Sequence, residues 1–140
     1  MDGLSGAASV IAVIDMSAKI ATLCFQYSVT VKDAKEDIER VQRKVGNITH
    51  ILEKIKQLLD SQDKTRLSAT QGLFESLKQC LGDLEDLKAK LDPGKTRKIM
   101  NRIGFRALKW PFTSKQVDKV VSNLEGYERS FSSALQVDQT

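Results

Sequence analysis

Apolar residues recur at alternating steps of three and four along most of this 140-residue chain. This spacing places them on one side of an α-helix and is typical of helices that pack together along a seam. Alternation of apolar and polar residues, which would favour β-strands, is missing from the sequence, and the chain therefore predicts an all-α fold. The longest run predicts one helix of about 30 residues and comprises Val31, Ala34, Ile38, Val41, Val45, Ile48, Leu52, Ile55 and Leu59.

Two later segments repeat the pattern, and each follows a capping-box motif, Ser68–Gln71 and Thr113–Gln116. In such a motif the first and fourth residues satisfy free backbone N–H groups at the start of a helix. Asp92-Pro93-Gly94 is predicted to end the first of these two helices. Its seam is Leu73, Leu77, Cys80, Leu84, Leu87 and Leu91, widened by Phe74 and Leu81, and the seam of the second is Val117, Val120, Leu124, Tyr127, Phe131 and Ala134.

The N-terminal stretch Gly3–Val31 contains only two charged residues, Asp15 and Lys19. An ordinary surface helix has one apolar stripe, whereas this stretch predicts a helix with two. We therefore expect it to be surrounded by the three amphipathic helices, in a four-helix bundle that forms a single domain over residues 1–140. The stripes are Leu4, Ala7, Ile11, Ile14, Ala18, Ala21 and Phe25, and Val10, Val13, Ser17, Ile20, Cys24, Tyr27 and Val31.

The same N-terminal helix also has properties of a membrane helix. As a helix it would be about 43 Å long, enough to cross a hydrocarbon core of about 30 Å. Its uncharged runs of 12 residues, Gly3–Ile14 and Ile20–Val31, are shorter than the roughly 18 residues typical of a constitutive span. We therefore expect a soluble resting state, and two interpretations remain open: a permanent core helix, or a helix that can leave the core for lipid.

A short basic helix is predicted for Thr96–Lys109, before Trp110-Pro111 and the last helix. The net charge of the chain is +4, yet residues 93–116 alone carry seven basic residues and no acidic residue. Such a segment indicates an anionic partner, and interleaved apolar residues favour a lipid surface over nucleic acid, for which no recognition motif is present. Trp110 and Phe112 have an alternative interpretation, as residues that close one end of the bundle. The residues expected to contact anionic lipid are Lys95, Arg97, Lys98, Arg102, Arg106, Lys109 and Trp110.

Nothing in the sequence favours catalysis, a metal or a cofactor. The single histidine, His50, is predicted on the outward face of its helix, with no Cys or His nearby. Pro93–Thr96 resembles the end of a phosphate-binding loop, but Ala89 stands where that motif requires another glycine. Cys24 and Cys80 fall in apolar seams, which predicts buried reduced thiols and a cytosolic protein.

Three segments carry a family resemblance: MDGLSGAASVIAVIDMSAKIATLC, LDPGKTRKIMNRIGFRALKWPF and SALQVDQT. They resemble the HeLo-like N-terminal domains of fungal NLR-type immune receptors, which are similar in kind to the helical bundle of the mixed-lineage kinase-like pseudokinase. The resemblance implies a cell-death domain that precedes a nucleotide-binding oligomerisation module or accompanies an amyloid signalling motif. It also implies a membrane-active N-terminal helix, for which we select Leu4, Gly6, Ala7, Val10, Ile11, Val13 and Ile14.

The sequence thus leads to one functional hypothesis with one alternative. In the hypothesis, the domain is cytoplasmic at rest, and clustering of several copies releases the N-terminal helix to permeabilise an anionic membrane at the inner face of the plasma membrane. In the alternative, the bundle only oligomerises or recruits a partner, and its first helix always remains in the core.

Overall fold

The computed structural model describes residues 2–60, 70–92 and 109–136, with side chains described from Ala7, Gly72 and Lys109 onward in the three ranges and up to Leu135. These residues form four α-helices: α1 (Asp2–Thr30), α2 (Lys35–Asp60), α3 (Thr70–Leu91) and α4 (Ser114–Gln136). The described ranges contain no β-strand. The all-α four-helix bundle predicted from the apolar spacing is confirmed. The predicted basic helix Thr96–Lys109 and the capping box Ser68–Gln71 lie outside or mostly outside the described residues.

The four helices form a bundle in which each helix packs against two neighbours. Helix α1 packs against α2 and α3, and α4 packs against the same two helices from the opposite side. The α1 and α4 helices are therefore diagonal partners, and so are α2 and α3. A turn of only four residues, Val31–Ala34, joins α1 to α2, so that these two helices run antiparallel.

The predicted seams of α2 and α3 form the centre of the core. The α3 seam from Leu73 to Leu91 is buried, and Phe74 and Leu81 lie half-buried beside it as expected. In α2, the residues from Ile38 to Ile55 in the seam are fully buried. This helix is shorter than predicted, because Val31 and Ala34 belong to the turn that precedes it. In α4, Val121 is buried in place of Val120, while Val120 and Tyr127 are half-buried at the edge of the core.

The start of α4 confirms the second predicted capping box. The Thr113 hydroxyl accepts a hydrogen bond from the Gln116 backbone N–H at 3.2 Å, and the Gln116 side-chain oxygen accepts one from the Thr113 N–H at 2.8 Å. The Thr113 carbonyl in turn accepts from the Val117 N–H. These bonds satisfy two backbone N–H groups that would otherwise lack a partner. Thr113 is therefore the capping residue, and α4 begins directly after it.

The prediction that three helices surround α1 is wrong. Only one of its two apolar stripes, from Val10 to Val31, is buried against the bundle. The other stripe faces outward, where Ile11 and Phe25 are exposed and Ile14 is half-buried. The physical reason is geometric: in a four-helix bundle each helix has two adjacent neighbours, and the diagonal helix lies across the core rather than over the outer surface.

Candidate functional site

The outer side of α1 is the most apolar exposed surface among the described residues. Ile11 is 42%, Phe25 60% and Val29 65% exposed, and these are the large hydrophobic side chains of the described chain that face solvent. Ala18 is exposed between them, and Ala21 is half-buried. Because positions three and four apart share one side of a helix, these residues form a continuous strip, which we call the outer strip of α1.

Hydroxyl groups close to the outer strip bond back to their own helix. The Thr22 hydroxyl donates to the Ala18 carbonyl at 3.0 Å, and the Ser28 hydroxyl donates to the Phe25 carbonyl at 2.7 Å. Thr30 does the same with Gln26 at 2.9 Å. These hydroxyls therefore do not depend on water for a hydrogen-bond partner, which is also how Ser and Thr are accommodated in apolar surroundings.

By length and composition α1 could cross a membrane. The candidate span is Ala7–Thr30. The mean hydropathy of its most apolar 18-residue stretch is 1.7, and 28% of that stretch is buried inside the bundle. A signal sequence, or the core helix of a water-soluble protein, can satisfy the same two criteria, but a core helix is mostly buried. The low buried fraction follows from the outer strip, since only the opposite stripe packs on α2 and α3.

Of the predicted membrane-active residues, the structure divides the described ones between two sides of α1. Val10 and Val13 are fully buried against the bundle, Ile11 is exposed, and Ala7 and Ile14 lie half-buried between these sides. Leu4 and Gly6 belong to α1, but their side chains lie outside the described set. The predicted group therefore covers about half of the helix circumference and includes both buried and exposed positions.

An aromatic cluster closes the end of the bundle where α1 and α3 finish. The Tyr27 hydroxyl donates a hydrogen bond of 2.7 Å to the Leu91 carbonyl, one of the terminal carbonyls that α3 cannot satisfy internally. Trp110 packs edge-on against Tyr27 and against Phe112, with both pairs of ring centroids 5.3 Å apart. Ser114, at the start of α4, also bonds Asp37 near the start of α2. We call this end of the molecule the Trp110 end.

Two of the predicted lipid-contact residues lie at the Trp110 end. Lys109 is exposed and Trp110 is half-buried. The Trp110 indole N–H is buried and has no hydrogen-bond partner in the described part of the chain. This packing agrees with the alternative interpretation, in which Trp110 and Phe112 close the bundle. The remaining predicted contacts, Lys95, Arg97, Lys98, Arg102 and Arg106, lie outside the described residues.

The exposed edge of the contact between α2 and α4 carries polar and charged side chains. Lys44 forms ion pairs with Glu125 at 3.3 Å and with Glu128 at 3.7 Å, and Asn47 donates to Glu128. Arg40 forms an ion pair of 2.9 Å with Asp118, which raises the pKa of the guanidinium further. These complementary charges add polar contacts between α2 and α4 at the edge of the apolar core.

A groove of about 400 Å³ lies between α3 and α4. Its apolar wall includes Leu87, Phe112 and Leu124. Its charged residues are Asp83, Asp86, Lys90 and Lys119, whose formal charges cancel, so that the groove favours neither an anion nor a cation. The Tyr127 hydroxyl donates to Asp83; burial, and then this bond, raise the pKa of Tyr127.

The histidine and the two cysteines of the described residues do not form a metal or thiol site. His50 is exposed on α2, as predicted, and no group of three or more His, Cys, Asp or Glu side chains in the described ranges is placed to hold a metal ion. Cys24 and Cys80 are free and buried, which confirms their predicted state. Burial raises the pKa of the Cys80 thiol to about 12, so that the thiol is protonated and unreactive near neutral pH.

Phe25 and Val29 are not among the site residues predicted from the sequence, although they are the most exposed large apolar side chains of α1. Phe25 belongs to the apolar stripe that the sequence predicts to be covered by the other helices. Val29 lies four residues after Phe25, one helical turn further on the same side of α1. This spacing is the sequence signal that indicates a shared apolar surface.

Comparison with family models, with curated proteins and with solved structures gives no match for this chain.

Proposed function

We propose that this domain is a membrane-permeabilising cell-death effector whose active part is α1. The observation that carries the proposal is the outer strip, because it leaves a long apolar helix uncovered on one side while the other side fills the core. A helix of this kind finds apolar contacts in two environments, the protein interior and lipid. The resemblance to HeLo-like domains supports the same function.

The contacts that hold α1 in the bundle are of a type that lipid can replace. They are made by apolar side chains from Val10 to Val31 and by the Tyr27 hydrogen bond to Leu91. Lipid tails replace apolar contacts at little cost in free energy, whereas they cannot replace ion pairs. The α1 helix is thus held by the type of contact that a bilayer also provides.

In the proposed mechanism, a downstream oligomerisation module brings several copies together at the inner face of the plasma membrane. Clustering raises the effective concentration of α1 helices, which favours their association. The α1 helix then leaves α2 and α3 and enters or disrupts the bilayer. Asp15 and Lys19 are exposed and four residues apart, so that each partly neutralises the charge of the other.

Dye release from vesicles tests the proposal. The chain is fused at its C-terminus to a chemically inducible dimeriser, and we expect leakage from anionic vesicles after the inducer is added, with much less from neutral ones. Ile11→Glu places a charge on the outer strip and should abolish leakage without disturbing the core, because Ile11 is exposed.

Gly82→Glu is the matched control. It adds the same charge on α3, where a new Cβ meets no atom within 4 Å, and leakage should be unchanged. Both variants should unfold cooperatively, Ile11→Glu near the wild-type temperature and Gly82→Glu at or above it, because glycine is a poor helix former. If the clustered wild-type protein forms a stable oligomer but no vesicle leaks, the domain is an interaction module and the proposal is wrong.

A further inference from the structure

The outer strip and the Trp110 end meet at one corner of the molecule. Phe25 and Val29 lie in the last two turns of α1 and point outward, and exposed Lys32 and Lys35 follow at once in the turn and at the first residue of α2. We call Phe25, Val29, Lys32 and Lys35 the corner surface. Exposed apolar side chains beside lysines are typical of surfaces that sit in the headgroup region of a bilayer.

Helical periodicity places Lys35 on the side of α2 that faces α1. Asp37 and Lys44 are seven residues apart and both contact residues of α4, so they mark the flank of α2 that faces α4. Lys35 is at the same heptad position as Gln42 and Thr49, on the opposite flank of the buried seam. Because α1 is the other neighbour of α2, Lys35 lies beside the last turns of α1 that carry Phe25 and Val29.

The two ends of the bundle differ in charge. The ranges that form the Trp110 end, 29–40, 88–92 and 109–119, contain eight basic and six acidic residues. The chain also leaves this end after Asp92 and returns to it at Lys109, and the intervening sequence contains five basic residues and no acidic one. The ranges that form the opposite end, 2–9, 50–60, 70–78 and 128–136, contain four basic and five acidic residues, and the sequence that connects Asp60 to Thr70 adds two basic and one acidic residue.

We infer that the folded bundle docks on an anionic bilayer through the corner surface, with α1 still in place. Phe25 and Val29 enter the boundary between headgroups and acyl chains, and Lys32 and Lys35 lie at the phosphates. Asp33 and Glu36 are exposed in the same turn, so the attraction comes from the positive field of the whole Trp110 end and is reversible at high salt. The inference rests on the proposed function and gives it a first, membrane-bound step that precedes release of α1.

A bilayer explains the corner better than a second copy of the chain. A second copy would have to cover two apolar side chains while bringing the lysines and the positive Trp110 ends of both molecules together. Like charges at an interface oppose association, whereas an anionic lipid surface satisfies the apolar and the basic parts at once.

The test is co-sedimentation of the unclustered wild-type protein with anionic vesicles of phosphatidylserine and phosphatidylcholine. Phe25→Ser with Val29→Ser should weaken binding by roughly tenfold or more. Lys32→Gln with Lys35→Gln should weaken it by roughly 25-fold at low salt, about fivefold for each lysine. All four residues are exposed, so that thermal unfolding should be unchanged.

Lys54→Gln with Lys78→Gln is the matched control for charge. These lysines are exposed at the opposite end of the bundle, and their replacement lowers the net charge equally, but binding should change by less than about twofold. Equal losses from the two lysine pairs would show that total charge alone drives binding, which would overturn the corner surface.

Trp110, the only tryptophan of the chain, reports the orientation independently. Docking through the corner places the Trp110 end against the bilayer, so nitroxide-labelled headgroups should quench its fluorescence. Binding without quenching would mean that another surface docks. If the Phe25 and Val29 changes leave vesicle binding intact but convert a dimer to a monomer in sedimentation equilibrium, a second copy covers the strip and the inference is wrong.

The failures of the two proposals can be told apart. Ile11→Ser lies on α1 towards the opposite end from the corner, and it should keep vesicle binding while it reduces leakage of the clustered form. Binding that depends on the corner, without leakage after clustering, would leave the docking surface standing and reject the effector function. Leakage that survives all corner substitutions would reject the docking surface and leave the effector function standing.

Discussion

Helices α1 and α4 occupy equivalent places on opposite sides of α2 and α3, and both bury an apolar seam in the core, but their polar contacts differ. Besides its apolar seam, the α4 helix has ion pairs to Arg40 and Lys44 of α2 and begins with a complete capping box. The α1 helix is held by buried apolar side chains and by the Tyr27 hydrogen bond to Leu91. Polar pairs fix one position of a helix in water, whereas apolar contacts can be exchanged for lipid. The difference indicates which helix is suited to leave the bundle.

The largest effect should separate the two sides of α1. Ile20 is fully buried, and Ile20→Ala should lower the free energy of unfolding by about 2–5 kcal/mol, because the methyl and methylene groups leave a cavity. Ile11→Ala on the outer strip should lower it by less than about 1 kcal/mol. Urea unfolding of both variants measures the contrast. Similar losses would mean that the outer strip is covered in solution.

The next effect concerns how α4 begins. Thr113→Ala removes the hydroxyl that accepts from the Gln116 N–H and should cost about 1 kcal/mol of stability. Hydrogen exchange should accelerate in the first turn of α4 and stay unchanged in α1. Faster exchange throughout α1 would show that the two helices are coupled rather than independently held.

Tyr27→Phe removes the hydrogen bond between α1 and the last carbonyls of α3. The expected loss is about 0.5–1.5 kcal/mol, since the ring remains packed on Trp110. In the vesicle assay this variant should leak at a lower inducer concentration than wild type, because release of α1 breaks one contact fewer. Unchanged leakage with reduced stability would mean that this hydrogen bond is kept when α1 moves.

The smallest effect belongs to a polar contact of α4. Lys44→Met removes the ion pairs with Glu125 and Glu128, which are partly exposed and are worth at most about 1 kcal/mol. Thermal unfolding at low and high salt measures this contribution, which should shrink as salt rises. Vesicle leakage should stay at the wild-type level, so a Lys44→Met protein that leaks differently would weaken the contrast between the helices.

The sequence was sufficient to predict the helices and most of the core, because apolar spacing and capping residues are local signals. The α3 seam and the Thr113 cap were confirmed residue by residue. Two features were not predicted from spacing. In α4, Val121 rather than Val120 enters the core. The sequence does not distinguish these two adjacent valines, and the packing against α2 and α3 decides which one is buried. The exposure of Phe25 depends on which helices are adjacent, and that is a property of the assembled bundle.

The short turn Val31–Ala34 has a mechanical consequence. It ties the end of α1 to the start of α2, so that an α1 helix released from α2 and α3 must pivot at its C-terminal end. The N-terminal residues of a 29-residue helix then sweep through the widest arc, with a lever arm of about 43 Å. Leu4 would reach lipid far from the pivot, while Phe25 would barely travel.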